Sequence, residues 1–302
     1  MFKKKKIILA AGCSFTDPNF KSTLKHLPDN KRGGWPMWPE LMQRKIEKET
    51  SESYELINLA RSGASNDYIL YTCIDALAKY DTRIKIVLIG GTQWMRTHVV
   101  TADTSFNPQV NLQTQQNFVK SYEKAMMQMW YQCSNNFGFQ NTIHHNLRIM
   151  WTLMNICNDK KIKFIWNQLL SPFPGPDWWR KQLLKAGSVE GWEINTNLHA
   201  WEKLKETLRW TMSEQYFSET VLKSPHAKFL IKHKKYLYGF SWSNGRIWDN
   251  TLPPGSTQRS IICPPETVIN GKKEVDFHPN KLGQEEIAEE MWKEYGNYLV
   301  KN

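Results

Sequence analysis

The sequence predicts an α/β protein whose parallel sheet is covered by helices. Short apolar runs alternate along the chain with longer stretches in which apolar residues recur every three or four positions. This alternation is typical of βαβ units, in which the strands run parallel. The run at 84–89 is almost continuously apolar, as expected of a strand buried on both faces. We therefore expect it in the middle of the sheet.

Each predicted element has a local signal of its own. Apolar and β-branched runs mark the strands, proline or a capping residue marks the start of the first two helices, and helical spacing marks the others. The predicted strands lie at 7–11, 54–59, 84–89 and 162–169, and the predicted helices begin at Pro36 or Pro39, begin at Ser65 or Asn66, span 140–158 and begin near 280.

Two long excursions separate these pieces, at about 94–139 and 171–239. Both exceed the ~2 to 6 residues that usually connect strands and helices, so we expect insertions with mostly helical structure of their own. The second contains a helical pattern at 198–212. With 302 residues and 40% hydrophobic content, the chain can bury a full core. The predicted organisation is one domain over 1–302 with these two insertions.

Composition argues against several classes of protein. No stretch approaches the ~20 apolar residues of a membrane span, and the apolar run after the lysines at 3–6 is too short for a secretory signal. We therefore expect a cytoplasmic protein. Five cysteines occur without a C-x-x-C pair, which fits reduced thiols better than disulfides.

Charge and aromatic content bear on possible partners. Forty basic and 29 acidic residues give a net charge of +11, which favours polyanionic ligands. Nucleic-acid binding is a rival function on this ground alone, and we do not predict it because no recognition motif accompanies the charge. Fourteen tryptophans could stack on sugar rings, although packing in the core is the default role of tryptophan.

The sequence predicts neither a metal nor an organic cofactor. His144 and His145 are adjacent on a predicted helix, so their side chains point about 100° apart and could not easily share an ion with His98 or Cys133. No Gly-x-Gly-x-x-Gly follows a strand, and no Walker-type loop occurs.

A serine follows the first predicted strand directly. Ser14 lies in the segment Gly-Cys-Ser-Phe-Thr at 12–16, which places its hydroxyl at the carboxyl edge of the sheet, where α/β proteins bind ligands. Such a serine can act as a nucleophile if a base reaches it, and N–H groups of the following turn could hold an oxyanion.

Three further segments stand at strand ends or before a helix. Residues 58–66 contain Gly63, whose N–H could face the same pocket. Residues 90–93, Gly-Gly-Thr-Gln, follow the central strand. Residues 276–279, Asp-Phe-His-Pro, place His278 on a loop before the last helix. The order and placement of the four segments point to one site.

In this order the segments resemble blocks I, II, III and V of the SGNH/GDSL hydrolase family. The resemblance covers the sheet core and not the two excursions. It implies a three-layer α/β/α sandwich with flavodoxin-like strand order, and an esterase that forms an acyl-serine intermediate. It further implies Ser14 as nucleophile, His278 as its base, and Gly63 with the Ser14 N–H as oxyanion donors.

Two positions depart from the family pattern. Cys13 stands where the family has the Asp of its Gly-Asp-Ser triplet, a change that leaves the nucleophile intact. Thr92 stands where block III supplies an Asn to the oxyanion hole, with Gln93 beside it, and either side chain can donate a hydrogen bond. Asn66 is a further candidate donor for this pocket.

The acid that orients the histidine is open at this point. The family commonly places it three residues before the histidine, where this chain has Val275. Asp276 lies two residues before His278 and is preferred because its short reach suits a local turn, while Glu274 lies four before it. A Ser-His dyad aided by a backbone carbonyl is the remaining alternative.

Divergent members of the family with this block I look like those encoded by bacteriophages, which would make the protein virion-associated. The resemblance favours an O-acetyl group on a glycan, or a lipid ester, as substrate. The alternative function is a catalytically weakened SGNH-like module that binds glycan on a virion or cell surface. Oligomeric state is not indicated by the sequence.

Overall fold

The computed structural model describes residues 5–94, 96, 99–100, 105–106, 136–170, 172, 218–219, 221–240, 260–264, 267–274 and 276–301. Within them, the strands in chain order are β1 (Lys6–Gly12), β2 (Tyr54–Asn58), β3 (Ile84–Gly91), β4 (Val99–Val100), β5 (Ser105–Phe106), β6 (Lys163–Gln168), β7 (Leu237–Tyr238), β8 (Ile261–Cys263), β9 (Val268–Ile269), β10 (Lys272–Lys273) and β11 (Asp276–Pro279).

The helices are α1 (Trp38–Thr50), α2 (Asn66–Tyr80), α3 (Asn136–Asp159), α4 (Pro225–Lys232) and α5 (Lys281–Val300). Short 3-10 turns occur at Asp29–Lys31, Asp81–Arg83, Val221–Lys223 and Lys234–Tyr236.

Five strands form one parallel sheet in the order β2-β1-β3-β6-β7. This is the flavodoxin-like order, in which the first two strands are exchanged relative to the chain and the following strands add on one side. The predicted α/β class is confirmed, and β3 lies in the middle of the sheet as its continuous apolar run predicted.

Helices cover both faces of the sheet, which makes a three-layer α/β/α sandwich. Successive side chains of β1 point to opposite faces, so Ile7 and Leu9 join one core cluster while Ile8 and Ala10 join the other. The first cluster is completed by α2, α3 and α4, and the second by α1 and α5. The buried helical residues are Ile69, Cys73, Leu77, Leu147, Met150, Ala227 and Leu230 in the first cluster, and Trp38, Met42, Ile46, Ile287, Met291 and Leu299 in the second.

The ends of the second and last helices follow local capping rules. Ser65 is the N-cap of α2, and its hydroxyl accepts a hydrogen bond from the Tyr68 N–H. Asn280 is the N-cap of α5 and accepts from the Gly283 N–H at 3.0 Å. Both helices therefore begin where a polar residue satisfies a free N–H group, as the sequence predicted for α2.

Three observations modify the predicted element map. Residue 278 lies on the short strand β11, which pairs with β8, and not on a loop. Helix α3 begins at Asn136. Part of the second excursion belongs to the sheet sandwich, because it supplies α4 and the edge strand β7. Two-residue strands are too short to show the alternation that marks a strand in sequence.

Most of the two predicted insertions, including the helix predicted at 198–212, lies outside the described residues, as do His98, Cys133 and Val275. Four cysteines are buried as free thiols: Cys13, Cys73, Cys157 and Cys263. Burial raises the pKa of the Cys157 thiol to about 12, so this group packs as a neutral apolar side chain. Within the described part of the chain, no helix is both long and apolar enough to cross a membrane.

Candidate active site

Ser14 lies on a tight turn directly after β1, at the carboxyl edge of the sheet. The N–H groups of Thr16 and Asp17 both donate to the Cys13 carbonyl, at 2.9 and 3.0 Å, and these bonds fold the turn back over the strand end. Ser14 itself is only 6% exposed. The nucleophile candidate is thus nearly buried and held in place by the backbone of its turn.

Two glycines allow this turn to lie close to the sheet. Gly12 and Gly90 are register partners at the ends of β1 and β3. A Cβ atom on Gly12 would lie 2.6 Å from Thr16 Oγ1, and one on Gly90 would lie 2.3 Å from the same atom. The Thr16 hydroxyl also accepts a hydrogen bond from Trp38 Nε1 at 3.1 Å. Any larger residue at these two positions would displace the turn that carries Ser14.

His278 reaches Ser14 from the other end of the chain. Its Nε2 lies 2.8 Å from Ser14 Oγ, although the two residues are 264 positions apart. Its Nδ1 lies 2.6 Å from Asp276 Oδ1, and its backbone N–H donates to the same oxygen at 3.1 Å. The side chains of the three residues therefore form a continuous hydrogen-bonded chain from carboxylate to hydroxyl.

This geometry distinguishes between the two candidates for the acid, Asp276 and Glu274. Asp276 is the residue beside the His278 ring, as its short reach suggested, while among the described residues Glu274 makes no side-chain hydrogen bond to that ring. Burial by itself would raise the pKa of Asp276, but hydrogen bonds and charge from His278, together with the Ser22 hydroxyl, outweigh it and hold the pKa below its ordinary value. Asp276 is thus the carboxylate form at neutral pH.

Ser22 is a member of this network that the sequence did not single out. Its hydroxyl donates to Asp276 Oδ2, the oxygen that His278 does not use. It also accepts from the Leu24 N–H at 3.2 Å. Ser22 lies 254 positions from Asp276 in an irregular segment. No local pattern marks such a residue, so only the folded chain identifies it.

Two phenylalanines fix the His278 ring. The ring centroid of Phe20 lies 4.2 Å from that of His278 with a tilt of 30°, and that of Phe15 lies 5.3 Å away. Both phenylalanines are buried, whereas the His278 side chain is 32% exposed. The imidazole is therefore packed on apolar surface and still open to a ligand that enters above Ser14.

A buried glutamine near the start of α5 connects this helix to the N-terminal part of the chain, close to the candidate site. Gln284, in the first turns of α5, accepts from the Trp38 N–H at 3.0 Å and donates to the Phe15 carbonyl at 3.2 Å. It thereby ties the helix that follows His278 to α1 and to the turn that carries Ser14. No local pattern in the sequence marks Gln284.

The segment after β2 lies beside the Ser14 turn and forms one wall of the candidate site. Gly63 has φ 79°, a conformation that favours glycine, and the Arg61 N–H donates to the Gly12 carbonyl at 3.1 Å. Asp17 holds the segment through one carboxylate oxygen, which accepts from the Ser62 N–H and hydroxyl, both at 2.7 Å. This wall is thus anchored to the Ser14 turn by hydrogen bonds.

The Ser14 N–H is a candidate oxyanion donor on geometric grounds. Among the residues that the structure describes, nothing accepts a hydrogen bond from it, although Ser14 is nearly buried. Buried N–H groups almost always have an acceptor, so one without a partner is expected where a ligand supplies the acceptor.

The other candidate donors lie around the end of β3. The Asn66 amide is engaged: its Oδ1 accepts from the Thr92 N–H at 3.2 Å, and its Nδ2 donates to Asn146 Oδ1 at 2.7 Å. The buried Thr92 hydroxyl has no hydrogen-bond partner within the described ranges. Gln93 Oε1 accepts a long bond, 3.4 Å, from Arg96 Nε. The Asn66 amide therefore holds the end of β3 through hydrogen bonds. The Thr92 hydroxyl and the Gln93 side-chain NH2 group remain as candidate donors.

His144 and His145, the two adjacent histidines considered as metal ligands, lie beside different side chains. His145 Nε2 lies 2.6 Å from Asp67 Oδ1 on the surface of α2 and α3. Burial lowers the pKa of the neighbouring His144, with the positive charge of Arg148 acting in the same direction. Across the part of the chain described, no group of three or more His, Cys, Asp or Glu side chains could hold a metal ion.

Comparison with known proteins gives no sequence match. No family model and no curated protein matches the chain. Solved structures do resemble it. An esterase from Pseudoalteromonas sp. is 13% identical with a TM-score of 0.36, and covers 98% of this chain and 100% of its own. An acetylxylan esterase from Geobacillus stearothermophilus is 12% identical with a TM-score of 0.35, over 98% of this chain and 97% of its own.

A third similar structure is a lipase from a goat rumen metagenome, 14% identical with a TM-score of 0.32, which covers 82% of this chain and 93% of its own. Identity and TM-score are low in all three cases. Nothing about the activity or substrate of this chain is therefore taken from them.

Proposed function

We propose that this protein is a serine hydrolase of the SGNH/GDSL type that cleaves an ester. The observation that carries the proposal is the chain Asp276–His278–Ser14, with 2.6 Å between Asp276 Oδ1 and His278 Nδ1 and 2.8 Å between His278 Nε2 and Ser14 Oγ. A nucleophile, a base and a group that orients the base within hydrogen-bond reach are the requirements of acyl transfer through serine.

The proposed reaction has two steps. Ser14 Oγ attacks the ester carbonyl carbon while its proton passes to His278 Nε2. The imidazolium then returns that proton to the leaving alcohol as the carbon–oxygen bond of the ester breaks. In the second step, water gives a proton to His278 and attacks the acyl-serine, and the proton returns to Ser14 Oγ as the acid is released. Asp276 stays ionised throughout and stabilises the imidazolium.

The oxyanion would be held on the side of the cleft away from His278. The Ser14 N–H and the Gly63 N–H are the proposed backbone donors, with the Thr92 hydroxyl or the Gln93 amide as the side-chain donor. Support comes from the absence of an acceptor for the Ser14 N–H, and from the Thr92 hydroxyl without a partner, among the described residues. One donor of this kind contributes about 3 kcal/mol to the stability of the transition state.

The substrate class follows from the proposed family and not from the site. We propose an O-acetyl group on a glycan, or a lipid ester, as the bond that is cleaved. A member encoded by a bacteriophage could carry this activity on the virion. The exposed edge of the His278 ring supports a substrate that enters from solvent above Ser14.

Hydrolysis of p-nitrophenyl acetate tests the proposal. We expect the purified protein to turn over this ester, and Ser14→Ala and His278→Ala to lower kcat/KM by about 1,000-fold or more, because both residues act in the same step. His145→Ala is a matched control, since this histidine also lies 2.6 Å from a carboxylate but on the surface of α2 and α3. Equal turnover by Ser14→Ala and the unmodified chain would refute the proposal.

A further inference from the structure

We propose that Arg96 binds a carboxylate on the acyl part of the substrate, so that the enzyme prefers esters with an anionic acyl group to the O-acetyl and lipid esters that the family resemblance favours. This inference rests on the proposed function for the position of the scissile bond. Arg96 lies five residues beyond the end of β3, next to the proposed oxyanion pocket.

Three contacts place the guanidinium in this pocket wall. Its Nη1 lies 3.4 Å from the Ala64 carbonyl, next to Gly63, and its Nε lies 3.4 Å from Gln93 Oε1. The Cys13 thiol, adjacent to Ser14, acts on the charge of this guanidinium. Arg96 thus hydrogen-bonds to the segments that follow β2 and β3, which flank the turn that carries Ser14.

The charge of this guanidinium has no counter-charge in the described part of the chain. The residue is partly buried, and its two hydrogen bonds to neutral oxygens are both long. Burial lowers the pKa of Arg96, with the Cys13 thiol acting in the opposite direction, yet an arginine stays charged at neutral pH. A buried charge without a partner is costly, so its presence beside a reactive serine indicates that a ligand supplies the partner.

The chemistry of the site decides which part of the substrate carries that partner. His278 Nε2 must deliver a proton to the leaving oxygen, so the alcohol part of the ester lies on the His278 side. Apart from Ser14, the side chains beside the His278 ring are Phe15, Phe20 and Asp276, and within the described residues none of them hydrogen-bonds to Arg96. The proposed oxyanion donors hold the carbonyl oxygen, so the acyl chain takes the remaining direction, which we place along Ala64 toward Arg96.

A carboxylate fits the donor set better than a neutral polar group does. A guanidinium presents a planar fork of N–H donors that matches the two oxygens of a carboxylate. The net charge of +11 acts in the same direction at long range, because it attracts an anionic substrate toward the protein. A half-ester of a short dicarboxylic acid is the simplest substrate with these properties.

Binding to a Ser14→Ala background tests this inference without turnover. Monomethyl glutarate and dimethyl glutarate differ at the far carboxyl group, which is a free carboxylate in the first and a neutral methyl ester in the second. We expect the Ser14→Ala protein to bind the monomethyl ester about 10-fold or more tightly than the dimethyl ester in a ligand-observed NMR titration. Addition of Arg96→Met should abolish this preference, and Arg96→Lys should retain part of it.

Arg83→Met in the same background is the matched control. Arg83 ends the 3-10 turn before β3, at the amino end of that strand, and pairs with Glu55, so its removal should leave the preference intact. Equal binding of the two esters would overturn the inference, and so would a preference that survives in a folded Arg96→Met protein. If Arg96→Met fails to fold, the comparison of the two glutarate esters on the Ser14→Ala protein still tests the inference.

The two proposals fail in different ways. A protein that prefers the monomethyl ester through Arg96 but shows no hydrolysis dependent on Ser14 would overturn the proposed function and leave the anion site in place. Hydrolysis of p-nitrophenyl acetate that depends on Ser14 and His278, together with equal binding of both glutarate esters, would overturn only the anion site.

Discussion

Both oxygens of the Asp276 carboxylate are used in the folded protein. Oδ1 accepts from the ring and the backbone N–H of His278, and Oδ2 accepts from the Ser22 hydroxyl. A buried carboxylate is stable as an anion only when its oxygens are satisfied in this way. Under the proposed function, Ser22 therefore acts on the imidazole through Asp276, as a positioning residue that does not touch the reacting atoms.

Replacement of Ser22 tests that role. Ser22→Ala should lower kcat/KM for p-nitrophenyl acetate by about 10-fold, since one hydrogen bond to a charged group is worth about 1.5 kcal/mol or more. Ser22→Thr keeps a hydroxyl and should recover most of the rate. Steady-state kinetics of the two variants, with thermal unfolding to confirm folding, make the comparison. An equal loss in both variants would contradict the role of the hydroxyl.

At this scale the sequence predicts residues that stand in recognisable segments. Ser14 and His278 could be predicted because each follows or precedes an element with a strong pattern, and Asp276 because a turn limits the reach of a nearby acid. The structure brings these three side chains together. Ser22, Gln284 and Arg96 were not identified. Their partners are distant in the chain or lie in another segment, and a contact of that kind leaves no local spacing in the sequence.

Among the elements, the carboxyl ends of β1 and β3 pack closely against the side chain of Thr16. Thr16 lies over Gly12 and Gly90, and its hydroxyl is held by Trp38 of α1. The turn that carries Ser14 is thus positioned by two strands and a helix together. The absence of side chains at these two strand ends is what allows the close approach.

Gly90→Ala tests this packing. The added Cβ would lie 2.3 Å from Thr16 Oγ1, so we expect a loss of about 1 to 3 kcal/mol in the free energy of unfolding, measured by urea denaturation. Thr16→Ala removes the nearer of the two side-chain atoms that would clash, the other being Leu169 Cδ1 at 2.7 Å. Gly90→Ala should therefore cost less in a Thr16→Ala background than alone. Equal costs in the two backgrounds would show that the clash with Thr16 is not the cause.

The long elements could be predicted, and the short ones could not. β1 and β3 are runs of apolar residues buried on both faces, and α2 shows helical spacing after a clear N-cap, so local patterns suffice. β7 and β11 have two and four residues. They exist because they pair with β6 and β8, and such pairing partners are not visible in a short segment.

For the whole molecule, the site depends on how the two ends of the chain meet. α5 packs beside α1 on one face of the sheet, and Gln284 links them to the Ser14 turn. The observed strand order is the one that the resemblance to the SGNH/GDSL family implies. The sequences of the two excursions, by contrast, contain no pattern that predicts which residues they contact. Their sequences fall outside the four segments on which the resemblance rests.

The pKa of Asp276 predicts a dependence of global stability on pH. This pKa is lower in the folded state than its ordinary value of 3.8. The resulting stabilisation is therefore fully present above about pH 4 and is lost as the pH falls through the lower, folded-state pKa. Asp276→Asn has no such group, so the difference in free energy of unfolding between the two proteins should shrink below about pH 4.

Urea unfolding of the unmodified protein and of Asp276→Asn, followed from neutral pH to about pH 3, measures this difference. A difference that stays constant over the range would contradict a lowered pKa for Asp276. A difference that grows as the pH falls would indicate that burial, which raises the pKa, outweighs the hydrogen bonds from His278 and Ser22.

The proposed mechanism requires that Ser14 is a nucleophile activated by His278. Reaction with a fluorophosphonate, followed by peptide mapping in a mass spectrometer, tests it most directly. We predict one phosphonylated residue, Ser14, with labelling abolished in Ser14→Ala and slowed in His278→Ala. Labelling of another residue, or undiminished labelling of Ser14→Ala, would contradict the claim.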